Sequence, residues 1–304
     1  MTNSNVTPPD VAECVDPAVE AAAAAARSAG VAIREIAEVT DLDAVGRLYD
    51  GIWRRRDAGA PITTELLRAF AKTGNYVVGA FDGTALVGAC VGFFSAPADG
   101  AMHSHIAGVS ETARRRHIGF ALKLHQRAWA LRRGVSTIGW TFDPLVARNA
   151  WFNVVKLGAG PVEYLPNFYG GMRDGINGSD DSDRLLVHWE LAAPEVAAAC
   201  AGHSRPSDAV AEQARGAVLA LGVSALGTPV PGSLDALTSL VAVPSDIEAI
   251  RSAEPGLAKE WRVAMREALG GLMAGGARIT GFDRAGWYVV CRDTTRPLGE
   301  GGAG

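Results

Sequence analysis

Two β-rich runs separated by a single Asp-Gly pair constrain this chain more than any other stretch. Tyr76-Val77-Val78-Gly79-Ala80-Phe81 and Ala85-Leu86-Val87-Gly88-Ala89-Cys90-Val91 flank Asp82-Gly83. A tight turn at that pair folds the runs against each other as an antiparallel hairpin. Whatever else the chain forms, it contains a sheet with this hairpin in it.

Periodicity places further elements around the hairpin. A strand is expected over Val31–Ile36. A helix follows over Asp41–Arg56, with Leu42, Val45, Leu48 and Ile52 at helical spacing and Thr40 or Asp41 as N-cap. A second helix covers Thr63–Lys72. After the hairpin come a strand at Ala101–Val109, a helix at His117–Arg133, a strand at Ser136–Phe142 and a helix at Ala147–Leu157 with Gly158 as C-cap. A loop rich in Gly, Asn and Asp then leads to a strand at Arg184–Leu191. Ala192–Leu221 reads as mostly Ala-rich helix and Gly227–Gly232 as a Pro/Gly linker. A strand (Leu240–Val243), a helix (Pro255–Leu272) and a strand pair (Arg278–Phe282, Trp287–Arg292) close the chain. The expected organisation is a loosely docked N-terminal extension (1–30) with a short helix near Pro17–Ser28, a main domain (31–191), a smaller C-terminal α/β extension (192–293) and a tail (294–304).

Charge and cysteine usage narrow the function classes. With 29 Lys+Arg against 33 Asp+Glu the net charge is −4, which argues against a general nucleic-acid or membrane-surface binder. Cys14, Cys90, Cys200 and Cys291 form no CxxC pair, so neither a zinc site nor a disulfide framework is expected. The start of the chain shows no basic-then-apolar signal pattern, and the alanine run at 21–26 is too short to span a bilayer. A cytoplasmic location follows as the expectation, and the sequence leaves room for a homodimer.

One local feature departs from the acidic background. Val109-Ser110-Glu111-Thr112-Ala113-Arg114-Arg115-Arg116-His117-Ile118-Gly119-Phe120-Ala121-Leu122 joins a strand to a long helical pattern. Clustered arginines, a glycine and a helix start together present positive charge and free backbone N–H groups, a combination suited to a phosphorylated ligand.

In this setting the element order resembles the GNAT superfamily of acyl-CoA-dependent N-acyltransferases. The resemblance covers about residues 31–191. It implies a mixed, mostly antiparallel α/β sheet flanked by helices, with acyl-CoA (acetyl-CoA or succinyl-CoA) as co-substrate, a small-molecule amine as acceptor and no metal. The family's R-x-x-G-x-G/A loop cradles the CoA pyrophosphate. Arg116 to Ala121 fits its letters, whereas the spacing from Val109 aligns Arg114, His117 and Gly119, which puts histidine at the first glycine. Gly108 and Val109 then fall where the family bonds the pantetheine arm. Arg114, Arg115, Arg116, His117, Ile118, Gly119, Phe120 and Ala121 fall on the pyrophosphate. Asn149-Ala150-Trp151-Phe152-Asn153-Val154-Val155-Lys156-Leu157-Gly158 looks like the family's next helix, with Asn149 and Asn153 near CoA. Many members carry at the Val154 position a tyrosine that protonates the departing thiolate; Tyr164 or Tyr169 would have to replace it here. Trp140-Thr141-Phe142-Asp143-Pro144, Tyr164-Leu165-Pro166-Asn167-Phe168-Tyr169-Gly170, Ser182-Asp183-Arg184 and Pro255–Arg262 look like a longer subfamily. Some of its members are thought to acylate amino acids from succinyl-CoA.

Amine acylation needs a base for the ammonium, polarisation of the thioester carbonyl and release of the thiol. His103 and His105, two apart on a strand, share one face and titrate near neutrality. Either one is the base or they form a hydrogen-bonded structural pair. Glu111 is the competing base, or else a solvated carboxylate. Arg148 and Arg184 either clamp a substrate carboxylate or form structural ion pairs. Trp140 and Asp143 are further candidates for the substrate site, with core packing as the alternative for the tryptophan. Two other readings of the same fold stay open: an acyl-CoA decarboxylase or thioesterase, and a CoA-binding module without catalysis.

Overall fold

The computed structural model describes residues 11–53, 61–170 and 180–292. The end of the expected helix at residues 54–56, residues 171–179 of the loop and the tail from 294 lie outside them. The first described element is helix α1 (Val15–Ala29), ended by Gly30 in the left-handed region. Strand β1 (Ala32–Glu35), helices α2 (Val39–Trp53) and α3 (Thr64–Lys72), and hairpin strands β2 (Tyr76–Asp82) and β3 (Ala85–Phe94) follow. Then come β4 (Ala101–Val109), α4 (Ile118–Leu131), β5 (Thr137–Phe142), the short helix α5 (Ala147–Ala150) continued as a π-helical turn (Trp151–Lys156), β6 (Gly160–Leu165) and β7 (Arg184–Glu190).

These strands form one seven-stranded sheet in the order β1-β2-β3-β4-β5-β7-β6, in which only β4 and β5 run parallel. The hairpin forms as expected: Tyr76 to Asp82 pair with Gly92 to Ala85, and Gly83 turns the chain at φ 58°. A positive φ suits glycine, which has no Cβ to clash.

Each face of the sheet takes its own cover. On one face α2 buries Leu42, Val45 and Tyr49 against Val77, Ala89 and Val91. The spacing i, i+3, i+7 puts all three on one stripe of the helix. On the other face α4 is buried along most of its length, with Ile118, Ala121, Leu122, Leu124 and Trp129 in the core. Helix α1 packs on the outside of α4 through Ala18, Ala22 and Ala29. This corrects the expected loose docking of the N-terminal extension: alanines spaced four and seven apart let two helix backbones approach closely and bury the stripe.

The C-terminal part forms a second layer. Helices α6 (Pro194–Cys200) and α7 (Ala209–Ala214) precede β8 (Val218–Val223), β9 (Pro229–Pro231), β10 (Thr238–Ala242) and helices α8 (Ile247–Ala253) and α9 (Pro255–Met265). Helix α9 runs through a π-helical turn (Arg266–Gly270) into Gly271–Ala274, and β11 (Arg278–Asp283) and β12 (Trp287–Cys291) end the described chain. The second sheet has the order β11-β12-β10-β8-β9. Two expectations need correction. The Ala-rich stretch is two short helices and then a strand, because Gly216 at φ 99° stops the helix and the β-favouring Val218 to Val223 run on. Strand β6, with Val162 and Tyr164 at alternate positions, is hidden inside a segment whose Gly and Pro content reads as loop.

The two layers share one apolar cluster that includes Leu145, Val155, Tyr288, Trp261 and Leu269. A buried ionic network reinforces it. Arg262 of α9 bonds both oxygens of Asp143 at 3.0 and 2.9 Å and also reaches Asp180. Arg251 of α8 reaches Asp143 at 2.6 Å, and Arg184 lies 4.0 Å from it. Asp143 immediately follows β5, so the C-terminal layer holds the far end of that strand.

Candidate functional site

The parallel pairing of β4 and β5 is brief. Ala101, Met102 and His103 pair with Thr137, Ile138 and Gly139, and no pairing continues beyond that point. The strands therefore fork, leaving one edge of β4 from Ser104 to Val109 facing open space while its other edge stays bonded to β3. Where the fork begins, β4 carries a bulge: Val91 opposes Ile106 and Gly92 opposes Ser104, with His105 as the extra residue. The Tyr49 hydroxyl donates to the Ile106 carbonyl at 3.4 Å, pairing a group at the bulge. A Cβ on Gly108 would lie 2.6 Å from Ile52 Cδ1 and 3.2 Å from the Trp53 ring, so both side chains at the end of α2 would have to give way.

At the wide end of the fork the chain leaves β4 and enters α4 through the arginine loop. Arg115 (φ 67°) and His117 (φ 61°) both occupy the left-handed region. That conformation costs a residue with a Cβ roughly 1–2 kcal/mol. His117 is thus held in a glycine-like conformation directly before α4. No side chain caps the N-terminus of α4, so the amides of Ile118, Gly119 and Phe120 face outward beside the arginines. The three arginines differ in what holds them. Arg116 bonds Asp82 at 2.6 Å and the carbonyls of Ala29 and Gly30, which commits it to tying the loop to the hairpin turn and to the end of α1. Arg114 is exposed and touches Glu111 at 3.5 Å. Arg115 is exposed as well.

Beside the loop lies an open cleft of about 720 Å³ between the end of α2, the segment after β4, and α8. Arg47, Trp53, Glu111, Arg114, Arg148 and Glu248 are among its lining residues. Arg148 is bound through both guanidinium nitrogens to Glu248 at 2.7 and 2.5 Å, an ion pair that spans the two layers at the cleft wall.

His103 and His105 stand apart from this cleft, on the sheet face that α2 and α3 partly cover. Their rings lie 6.1 Å apart and each packs near Phe93. Phe93, His103, Gly139, His188 and Gly160 fall in one lateral row across five strands. The row contains two glycines and runs across the base of the fork. Burial pulls the His103 imidazole down to about 4, with the neighbouring His105 and Lys123 charges adding to the effect; burial also lowers His105. Both rings are thus neutral at pH 7 and able to accept a proton.

Several other expected site residues turn out to be structural. Asp143 does not face a substrate: burial alone would raise its carboxyl, but the Arg262, Arg251 and Arg184 guanidiniums hold it well below the usual carboxylate range. Arg184 is buried against Asp143 and donates to the Asp183 carbonyl, so it is not an open clamp. Trp140 is buried and its indole N–H donates to Asn153 Oδ1 at 3.1 Å, which places both in the core behind the fork. Tyr164 donates to Asp183 at 2.7 Å; burial and that carboxylate push its hydroxyl far above the ordinary phenol value, so it is a poor proton donor. Tyr169 is exposed, and its hydroxyl meets Thr141 of β5 at 3.0 Å. Asn149 is half-buried in α5.

Sequence reasoning misses a polar group beneath the fork. Lys123 of α4 is buried, and its Nζ lies 3.1 Å from Ser104 Oγ, 2.7 Å from Gln126 Oε1 and 3.6 Å from the centre of the Trp140 ring. Its spacing from Gly119 puts it on the inner face of α4, the one signal that singles it out.

No protein-family model matches the chain, and no curated protein matches it. Solved structures do. The ribosomal-protein-S18-alanine N-acetyltransferase of Escherichia coli is 16% identical with a TM-score of 0.41, over 54% of this chain and 95% of that one. Ard1 of Thermoplasma volcanium is 18% identical with a TM-score of 0.41, over 52% and 96%. The yncA protein of Salmonella typhimurium, solved with its cofactor acetyl-CoA, is 16% identical with a TM-score of 0.44, over 54% and 97%. In each case the likeness spans about half of this chain.

Proposed function

We propose that this protein is an acyl-CoA-dependent N-acyltransferase that moves an acetyl, succinyl or similar acyl group to a small-molecule amine. The observation that carries the proposal is the forked β4–β5 pair opening onto an uncapped helix start flanked by exposed arginines. The fork offers unpaired backbone of β4, from Ser104 to Val109, to an extended amide-bearing chain, as the pantetheine arm is. The N–H groups of Ile118 to Phe120, with Arg114 and Arg115, suit a pyrophosphate. Arg116 serves the loop's shape instead of the ligand.

The acceptor amine approaches over the sheet face that holds His103 and His105. His105, on the bulge and more open than His103, takes the proton from the incoming ammonium directly or through water. The nitrogen then attacks the thioester carbonyl, the C–S bond breaks and the thiolate leaves. A direct ternary complex fits this geometry, since Cys90 is fully buried and burial raises its thiol pKa. Glu111 is the second reading for the base, favoured by its place in the cleft wall.

The test is thiol release from acetyl-CoA and succinyl-CoA with and without a panel of amines. Release that requires amine supports transfer; release without amine points to hydrolysis; binding without release points to a module without catalysis. With an active amine in hand, His105→Ala lowers kcat/KM by about 10²-fold at unchanged CoA affinity, and Glu111→Gln does so instead if the carboxylate is the base.

A further inference from the structure

In the acyl-CoA reading the departing thiolate takes up a proton, and Tyr164 is locked to Asp183. A proton donor for the leaving group must therefore come from elsewhere. Lys123 is the one buried ammonium at the fork among the described residues, and its surroundings are unusual for a structural lysine. It has no carboxylate partner among the described residues. Its contacts are two neutral oxygens, of Ser104 and Gln126, and the face of Trp140. Ser104 is the first residue of β4 past the last β4–β5 pair, and Trp140 is the first of β5 past it. The ammonium thus sits between the two strands at the point where they part. Beside it, the buried Gln126 Nε2 has no hydrogen-bond partner and lies against Gly92 of β3.

We propose that the Lys123 ammonium, acting through the Ser104 hydroxyl, supplies the proton to the departing CoA thiolate. This rests on the acyl-CoA reading above. In the step, the amine nitrogen forms its bond to the acyl carbon and the C–S bond breaks. The sulfur takes the Ser104 Oγ proton while Ser104 takes one from Lys123 Nζ. The neutral lysine is then recharged from solvent as CoA leaves. Burial lowers the Lys123 ammonium to about 8, against which a nearby Cys90 acts weakly, and that value is close to the roughly 8.5 of a free thiol. The charged or titratable groups facing Lys123 are Cys90 of β3, 4.0 Å from the Ser104 hydroxyl, and His103 of β4, which feels the lysine's charge.

The first measurement needs no acceptor. The thiol of bound CoA is titrated by the ultraviolet absorbance of its thiolate in the wild-type protein and in Lys123→Met, Lys123→Arg and Ser104→Ala. A nearby positive charge favours the thiolate, so the bound thiol ionises about one pH unit below free CoA in the wild type and in Lys123→Arg. In Lys123→Met it returns toward the free value, whereas Ser104→Ala keeps the charge and the shift but loses the relay, and with it at least ten-fold in turnover of acetyl-CoA with an active amine. Arginine keeps the charge but does not release its proton. Lys123→Arg therefore retains the thiol shift and still loses at least ten-fold in turnover of acetyl-CoA with an active amine. An identical thiol titration in wild type and Lys123→Met, with CoA bound equally by both, overturns the inference and leaves the acyltransferase reading standing. Failure of the wild type to bind CoA overturns both. Should Lys123→Met not fold, Ser104→Ala decides in its place: turnover of acetyl-CoA as in wild type overturns the relay, and a loss of ten-fold or more at an unchanged thiol titration supports it.

Discussion

Replacing Arg262 by methionine tests the buried network that fixes the fork. Arg262 is 2% exposed and donates to both oxygens of Asp143 and to Asp180. The substitution keeps much of the side-chain volume but leaves two buried carboxylates sharing Arg251 and Arg184. Breaking a buried ion pair from one side costs about 3–5 kcal/mol, because the remaining charge is left without its partner. At about 2–4 °C per kcal/mol for a domain of this size, the melting temperature falls by at least about 6 °C. The consequence reaches the site, since Asp143 follows β5 directly: CoA affinity falls together with stability.

The pH dependence has a definite sign. The Asp143 carboxyl is depressed in the folded protein relative to about 3.9 when unfolded. Its contribution is therefore complete above about pH 4 and is lost as pH falls through the depressed folded value. Thermal melts and urea titrations of wild type and Arg262→Met at pH 7, repeated toward pH 3, provide the check. The gap between the two proteins narrows only at the acid end. A variant that melts within about 2 °C of wild type at pH 7 refutes the reasoning.

Three further outcomes are expected. His117→Gly removes a left-handed conformation at a residue with a Cβ and stabilises the fold by up to about 1 kcal/mol, read by urea unfolding; destabilisation would show that the His117 side chain matters to the loop. Gly108→Ala places a methyl 2.6 Å from Ile52 and costs about 1–3 kcal/mol, and it also weakens CoA binding by shifting β4. Arg114→Ala and Arg115→Ala weaken CoA binding in a salt-sensitive manner with little change in melting temperature. Arg116→Ala instead lowers the melting temperature through loss of Asp82, Ala29 and Gly30.

The local elements are legible because their signals are local. The Asp-Gly turn, the helical spacing of Leu42, Val45, Leu48 and Ile52, and the β-rich runs of β4 and β5 each depend on residues within one helix or one strand. So does the arginine loop and its junction with α4, whose position the resemblance supplies. What no local signal can supply is the use of each charge. Arg114, Arg115 and Arg116 are identical as letters, yet only the last meets Asp82, from a hairpin 34 residues away. Asp143 and Arg184 read as a polar substrate site in the sequence, and become core once Arg251 and Arg262 arrive from a layer about 110 residues further along.

The sequence by itself determined the hairpin, the order of strands and helices from β1 to β5 and the place of the loop, since backbone propensity and side-chain period act over short distances. Tertiary structure alone decided where β4 and β5 part, which carboxylates are neutralised, and that a lysine from the buried face of α4 stands at the fork. Those depend on desolvation and on partners brought together across the chain, and the same residue can be a ligand or a strut according to what is packed beside it.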